Sequence, residues 1–227
     1  MRFPYSALVF DFDGTLIDSA PDITRALNRT LAQYGRPEVT VAQVRTMIGD
    51  GSAMLLRQAF AATGGELDAE AAKPVLANYM DVYFEEASQP STPFPDVAET
   101  LGWFHGQGVK LGLCTNKPEK ITRKLLGLLG LDHLFSAVAG GDTLPVRKPD
   151  GRHPGWVLEQ LGVDLAAGHR AAMIGDNAHD VKAARSAGIP VIAMSYGYPR
   201  MPLDQLGADL IVDRFADLPD ALRRLAG

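Results

Sequence analysis

Ala7-Leu8-Val9-Phe10 runs directly into Asp11-Phe12-Asp13-Gly14-Thr15-Leu16. Four apolar residues that stop in two carboxylates, one residue apart, read as a buried strand ending at a site. Gly14 lets the backbone turn sharply just beyond them. Two acids this close repel one another unless a cation joins them or one is protonated. The plainer reading is an acidic turn that caps the next helix, where Asp and Thr are common.

The remainder of the chain favours a site. The run Val109 to Cys114 stops at Thr115-Asn116-Lys117, and Arg170 to Ile174 stops at Gly175-Asp176. Asp180 follows four residues later, across a turn into a helix. Between these segments the loop from Gly141 to Pro149 carries Lys148. In an open parallel sheet, ligands bind outside the carboxyl ends of the strands. Asp11, Asp13, Thr115, Lys148, Asp176 and Asp180 can therefore converge on one spot.

DFDGTLIDS (Asp11 to Ser19), LCTNK, RKP and GDNAHD, in this order and spread over nearly the whole chain, resemble the four motifs of the haloacid dehalogenase superfamily, phosphatase branch. MIGDGSAMLL (Met47 to Leu56), GGDTLPVRKP and SYGY (Ser195 to Tyr198) are shorter and resemble segments of its phosphoglycolate phosphatase subfamily. The resemblance implies an α/β fold, a Rossmann-like parallel sheet core with an inserted all-helical cap. It implies a Mg²⁺-dependent phosphatase acting on a small phosphorylated metabolite, with 2-phosphoglycolate the first expectation. A sugar-phosphate or pyrophosphate phosphatase and a phosphomutase are the alternatives among enzymes. A receiver-like phospho-aspartate module also groups acids, a Thr and a Lys on a parallel sheet, but is about half this length and lacks a helical insertion. A non-catalytic relative is the other contrast, and retention of every motif residue argues against it.

Strand and helix patterns alternate from about residue 95 onward, as a parallel sheet with crossover helices requires. Expected strands are Ala7–Phe10, Val109–Cys114, Ala137–Ala139, Ala171–Ile174, Val191–Met194 and Leu210–Val212. Expected helices are Val97–Gln107, Glu119–Leu129, Pro154–Leu161, Ala178–Ala187 and Leu218–Ala226. Residues 19–89 differ: helical periodicity suggests Asp22–Tyr34, Val41–Met47, Ala53–Thr63 and Ala69–Ala87. The expected organisation is thus a core of residues 1–18 and 90–227 and a helical cap of residues 19–89, with hinges near Ser19-Ala20 and Gln89-Pro90.

The chain has 227 residues and a net charge of −5. No basic cluster points to nucleic acid, and no apolar run is long enough to span a membrane. The single Cys excludes an internal disulfide and fits the reducing cytoplasm. Nothing in the sequence fixes an oligomeric state.

Chemistry follows from the residue types. Asp11 can attack phosphorus to form an aspartyl-phosphate. Asp13 is placed to protonate the leaving oxygen and later to take a proton from water. Thr115 and its neighbouring amides can hold phosphoryl oxygens, with Asn116 supporting them, and Lys148 opposes the developing negative charge. Asp11 and Asp176 offer hard oxygen ligands suited to Mg²⁺; the resemblance adds the Asp13 backbone carbonyl. Asp180 can orient metal-bound waters or Lys148. Four carboxylates and a phosphate dianion cannot share a site with one lysine, which calls for a cation. The second acid of the first motif separates phosphatases from dehalogenases, since a halide leaves without a proton. Phosphonate-cleaving relatives use a cap lysine, and this segment holds Arg25 and Arg29 but no lysine before Lys73.

For substrate contacts the cap offers Gly49, Gly51, Ser52 and Arg57, with Arg45 as a further cation. Gly49-Asp50-Gly51 is otherwise a helix-joining turn. Cys114 reads as a buried structural thiol, because a cysteine phosphatase loop needs Arg six positions later and Lys120 stands there. His179 reads as a site neighbour or an exposed loop residue, and Trp103 and Trp156 as core.

Overall fold

The computed structural model describes residues 3–87 and 91–227. The chain runs β1 (Ala7–Phe10), β2 (Ile17–Asp18), four helices α1 (Ala20–Gln33), α2 (Val41–Met47), α3 (Ser52–Ala62) and α4 (Ala69–Glu86), then β3 (Thr92–Pro93). There follow α5 (Val97–Gly106), β4 (Lys110–Cys114), α6 (Glu119–Leu128), β5 (Phe135–Ala139), α7 (Arg152–Gln160), β6 (Ala171–Gly175), α8 (Ala178–Ser186), β7 (Val191–Met194), β8 (Leu210–Val212) and α9 (Leu218–Leu225). Six strands form one parallel sheet in the order β5-β4-β1-β6-β7-β8.

β1 sits inside this sheet, buried on both faces, which is why it reads as an unbroken apolar run. Alternation divides its residues between two cores. Leu8 and Phe10 face α5, α6 and α9, whereas Ala7 and Val9 face α7 and α8. The result is a three-layer α/β/α core, as expected.

The helices α1–α4 lie between β2 and β3, and α1 packs mainly on α4. Pro21 and Asp22 occupy the first turn of α1, and Thr40 and Gln43 close a capping box on α2. The apolar undersides of α1, α3 and α4 belong to the same cluster as one face of the sheet.

Several details differ from the sequence reading, and β5 and α1 each start two residues before their expected Ala137 and Asp22. β2 and β3 pair antiparallel, Ile17 with Pro93 and Asp18 with Thr92, in a ribbon too short to leave a periodic signal. Phe94 N extends it by donating to Leu16 O at 3.0 Å. Trp103 is not core: it lies 37% exposed on the outer side of α5, covered by Phe3 and the Arg223 guanidinium. Its amphipathic ring tolerates that position. Helix α7 starts at Arg152, two residues before the expected Pro154. The expected hinge at Gln89-Pro90, and with it the boundary at residues 89 and 90, lies outside the described residues.

Phe10 is wholly buried and meets the rings of Phe135 and Phe215. Replacing it with Ala leaves a cavity directly beneath Asp11. Phe10→Ala should lose about 3–5 kcal/mol of unfolding free energy, read from urea denaturation.

Candidate active site

β4, β1 and β6 are neighbours, and Thr115, Asp11 and Asp176 are the first residues past their carboxyl ends. The geometry of the parallel sheet alone therefore brings these three together. Lys148, from the loop after β5, reaches in from the side. Its ammonium lies 2.8 Å from Asp11 Oδ1 and 2.6 Å from Asp180 Oδ1.

The lysine backbone is fixed at both ends. Lys148 N donates to His153 Nδ1 at 3.2 Å, and Lys148 O accepts from Asn116 Nδ2 at 3.0 Å. His153 Nε2 in turn donates to Gly140 O at 3.0 Å, the tautomer that leaves Nδ1 free to accept. Burial pushes the His153 imidazole down to about 4, helped by the Lys148 charge, so the ring is neutral.

Asp180 has no oxygen to spare. Its Oδ1 takes Lys148, and its Oδ2 accepts from Asp176 N at 3.0 Å and Asn177 N at 3.1 Å. The motif GDNAHD is thereby a capping box for α8, with Asn177 as cap and Asp180 three residues on. Asp176 accepts from the Thr15 hydroxyl at 3.1 Å and from Tyr198 N at 2.7 Å. The room for its carboxylate comes from two glycines. A Cβ at Gly14, whose φ is +81°, would stand 2.5 Å from Asp176 Oδ2; one at Gly197 would stand 2.2 Å from Asp176 Cβ.

Oxygens of Asp11, Asp176 and Asp180 lie within 4.8 Å of one another, all buried. Burial, and then the mutual repulsion of these groups, raises the affinity of Asp11 and Asp176 for a proton, although Lys148 opposes this at Asp11. At Lys148 burial acts against the charge, but the two carboxylates outweigh it and keep the ammonium protonated. A second lysine, Lys117, lies 2.8 Å from Asp13 Oδ1 and donates to the Tyr83 hydroxyl. The single-lysine count is thus corrected to two ammoniums against four carboxylates. The excess of two negative charges still fits a divalent cation. The donors also fit one: neither described hydrogen bond to Asp11 uses Oδ2, and hard carboxylate oxygens converge there.

Asp11, Asp13, Thr115, Asn116, Gly49, Gly51 and Ser52 all line one cavity of about 40 Å³ between the sheet edge and the inserted helices. Lys148, Asp176 and Asp180 are buried and do not line it. Arg57 is not at the cavity: it is exposed, in a surface groove with Leu67 and Lys73. Two residues further along α3 than cavity-lining Leu55, it is turned about 200° away. Arg45 instead pairs with Asp18 at 3.0 Å and covers the Tyr198 ring. Cys114 is buried, and burial pushes its thiol up, so it is inert.

The model of the haloacid dehalogenase-like hydrolase family matches residues 8–194. The chain belongs to this family. A phosphoglycolate phosphatase of Caulobacter vibrioides is 43% identical over 216 residues, covering 95% of this chain and 90% of that one. One of Rhodospirillum rubrum is 41% identical over 220 residues, at 95% and 90% coverage. The crystal structure of a predicted phosphoglycolate phosphatase from Haemophilus somnus superposes with a TM-score of 0.88 at 32% identity, covering 96% and 98% of the two chains.

In this haloacid dehalogenase-like hydrolase the inserted helices are tied down over the cavity. Asp50 accepts from the Arg200 guanidinium and stands 2.9 Å from His179 Nε2. Arg200 also donates to Met47 O at 2.7 Å and to Ile48 O, while Asn116 Nδ2 donates to Gly49 O at 2.8 Å. His179 is thus a half-buried partner of Asp50, neither in the cavity nor a free loop residue. Sequence reading missed Lys117, Tyr79, Tyr83, His153 and this clasp. Lys117 had a signal, since it follows Thr115-Asn116 at a strand end; Tyr83 and the clasp depend on partners far away in the chain.

Two outcomes are expected. Arg200→Ala should loosen the clasp, raising amide exchange of Gly49–Ser52 about tenfold or more in hydrogen-exchange mass spectrometry. Between about pH 6.5 and 4 the unfolded chain protonates His153 whereas the folded chain does not, so acid destabilises the fold. His153→Gln should remove up to about 1.4 kcal/mol per pH unit of that slope. Urea titrations at pH 4.5 and 7 check it; parallel curves would mean the imidazole is not held neutral.

Proposed function

We propose that this hydrolase dephosphorylates 2-phosphoglycolate through an aspartyl-phosphate on Asp11. The observation that carries the reading is the convergence of Asp11, Asp13, Thr115 and Lys148 on one buried sheet edge, with Lys148 in contact with Asp11. A carboxylate oxygen of Asp11 attacks phosphorus. The ester P–O bond breaks, its electron pair passes to the leaving oxygen, and Asp13 supplies the proton. Thr115 and its adjacent amides bind the phosphoryl oxygens. Water then attacks the phosphorus of the acyl phosphate, Asp13 takes its proton, and the Asp11 carboxylate is released with inorganic phosphate.

Asp11, Asp176 and the Asp13 backbone carbonyl would hold the metal, and Mg²⁺ suits this oxygen set. When bound, it neutralises the carboxylates and phosphoryl oxygens. Asp180 acts through Lys148 and through the Asp176 backbone, and Asn116 through the Lys148 carbonyl.

A small ester is favoured over a sugar phosphate by the cavity. The cavity between the sheet edge and the inserted helices has about 40 Å³, which suits a short ester. Residues 19–89 serve as a cap that opens to admit substrate and closes to exclude water. Membrane attachment through a spanning helix has no support, since no helix among the described residues is long and apolar enough. The single buried thiol suits the cytoplasm.

Phosphate release should be rapid from 2-phosphoglycolate in Mg²⁺, lost with excess chelator and restored by Mg²⁺. Asp11→Asn should lower it by about 10⁴-fold or more without lowering the melting temperature, because it removes a charge from a crowded buried cluster. Strong turnover of sugar phosphates with none of phosphoglycolate would shift the substrate to that alternative. Normal turnover by folded Asp11→Asn would end the aspartyl-phosphate mechanism.

A further inference from the structure

Two residues lining the cavity carry a buried polar atom without a hydrogen-bond partner, Asn116 at Oδ1 and Tyr79 at its hydroxyl, and the mechanism gives the second no role. Tyr79 on α4 is wholly buried, lines the cavity, and its hydroxyl has no hydrogen-bond partner. Buried hydroxyls in native proteins nearly always have one. Tyr83, one turn along the same face and 5.7 Å away ring to ring, is by contrast satisfied by Lys117. The Tyr79 phenol lies within electrostatic reach of Lys117 and Asp13. The same cavity is lined by the aliphatic side chains of Ile23, Ile48 and Leu55 and by the polar ones of Ser52, Asn116 and Asn177.

The unpartnered atom thus belongs to a residue that lines the substrate's space together with Lys117. Among the described lining residues, Lys117 is the only one with a permanent positive charge; the arginines considered from sequence do not line the cavity. A free hydroxyl donor and an ammonium lining one cavity are chemistry for a small anion.

We propose that Tyr79, together with Lys117, receives the carboxylate of the substrate, the end that is not transferred. This makes Tyr79 a specificity residue on the cap, and it rests on the phosphoglycolate reading above. Because α4 carries Tyr79 while the sheet edge carries Lys117, the carboxylate bridges the inserted helices and the core when the cap is shut. A phosphate ester lacking it loses that bridge and leaves the phenol unsatisfied, which is how a site built for a polar group rejects its apolar analogue.

The test uses binding, with three non-hydrolysable ligands of similar size and Mg²⁺ present: phosphonoacetate, 2-hydroxyethylphosphonate and ethylphosphonate. By calorimetry the parent protein should bind phosphonoacetate at least tenfold tighter than ethylphosphonate, with the hydroxyl compound close to ethylphosphonate. In Tyr79→Phe the preference should fall to within about threefold. The melting temperature of Tyr79→Phe should not drop, since the deleted hydroxyl holds nothing in the protein; this separates lost recognition from lost folding.

Equal affinity of the parent for phosphonoacetate and ethylphosphonate overturns the proposal, as does an unchanged preference in Tyr79→Phe. Tightest binding of 2-hydroxyethylphosphonate overturns it in favour of a hydroxyl subsite. If the phosphonoacetate preference is present and Tyr79-dependent but phosphoglycolate is not turned over, the carboxylate subsite stands and the substrate assignment fails.

Discussion

The ion pairs from Lys148 to Asp11 and Asp180, 2.8 and 2.6 Å long and buried, are the contacts on which the site depends. Carboxylates brought this close in a medium of low dielectric repel strongly. One ammonium between two of them offsets part of that repulsion, but only if it cannot move. Hence the lysine is held by its main chain, with His153 on its N–H and Asn116 on its carbonyl. Hence also Asp180 is committed on both oxygens. The residual negative charge, shared by Asp11 and Asp176, makes this place compatible with a divalent cation.

Much of this was legible in the chain. A residue that follows a buried parallel strand has little freedom in where it goes, so Asp11, Thr115 and Asp176 could be placed together from strand ends alone. Asp180 followed because its spacing from Asp176 matches a helix start. Contacts that depend on how the inserted helices sit could not be read. Tyr83 and Asp50 are joined to Lys117 and Arg200, 34 and 150 positions away, and no local pattern encodes that. Arg57 shows the same limit at short range. Its charge suggested a substrate contact, and the phase of α3 turns it outward.

His153 and Lys117 failed to stand out for another reason. A lone histidine early in a helix, or a lysine after a strand, has an ordinary solvent-facing explanation in a single sequence. Their burial reveals their roles: the first is a neutral bracket for a backbone, and the second balances Asp13.

The ribbon of β2 and β3 has one more consequence. Paired antiparallel residues stand roughly 4.5–5.5 Å apart, so the chain leaves the sheet and returns to it at nearly the same point. Such a junction is indifferent to the length of what it carries. A different folded module whose ends lie side by side could be grafted there, provided its underside matches buried Phe12, Leu16 and Ile17. Reactive chemistry and ester selection could thus diverge along separate evolutionary lines within one scaffold.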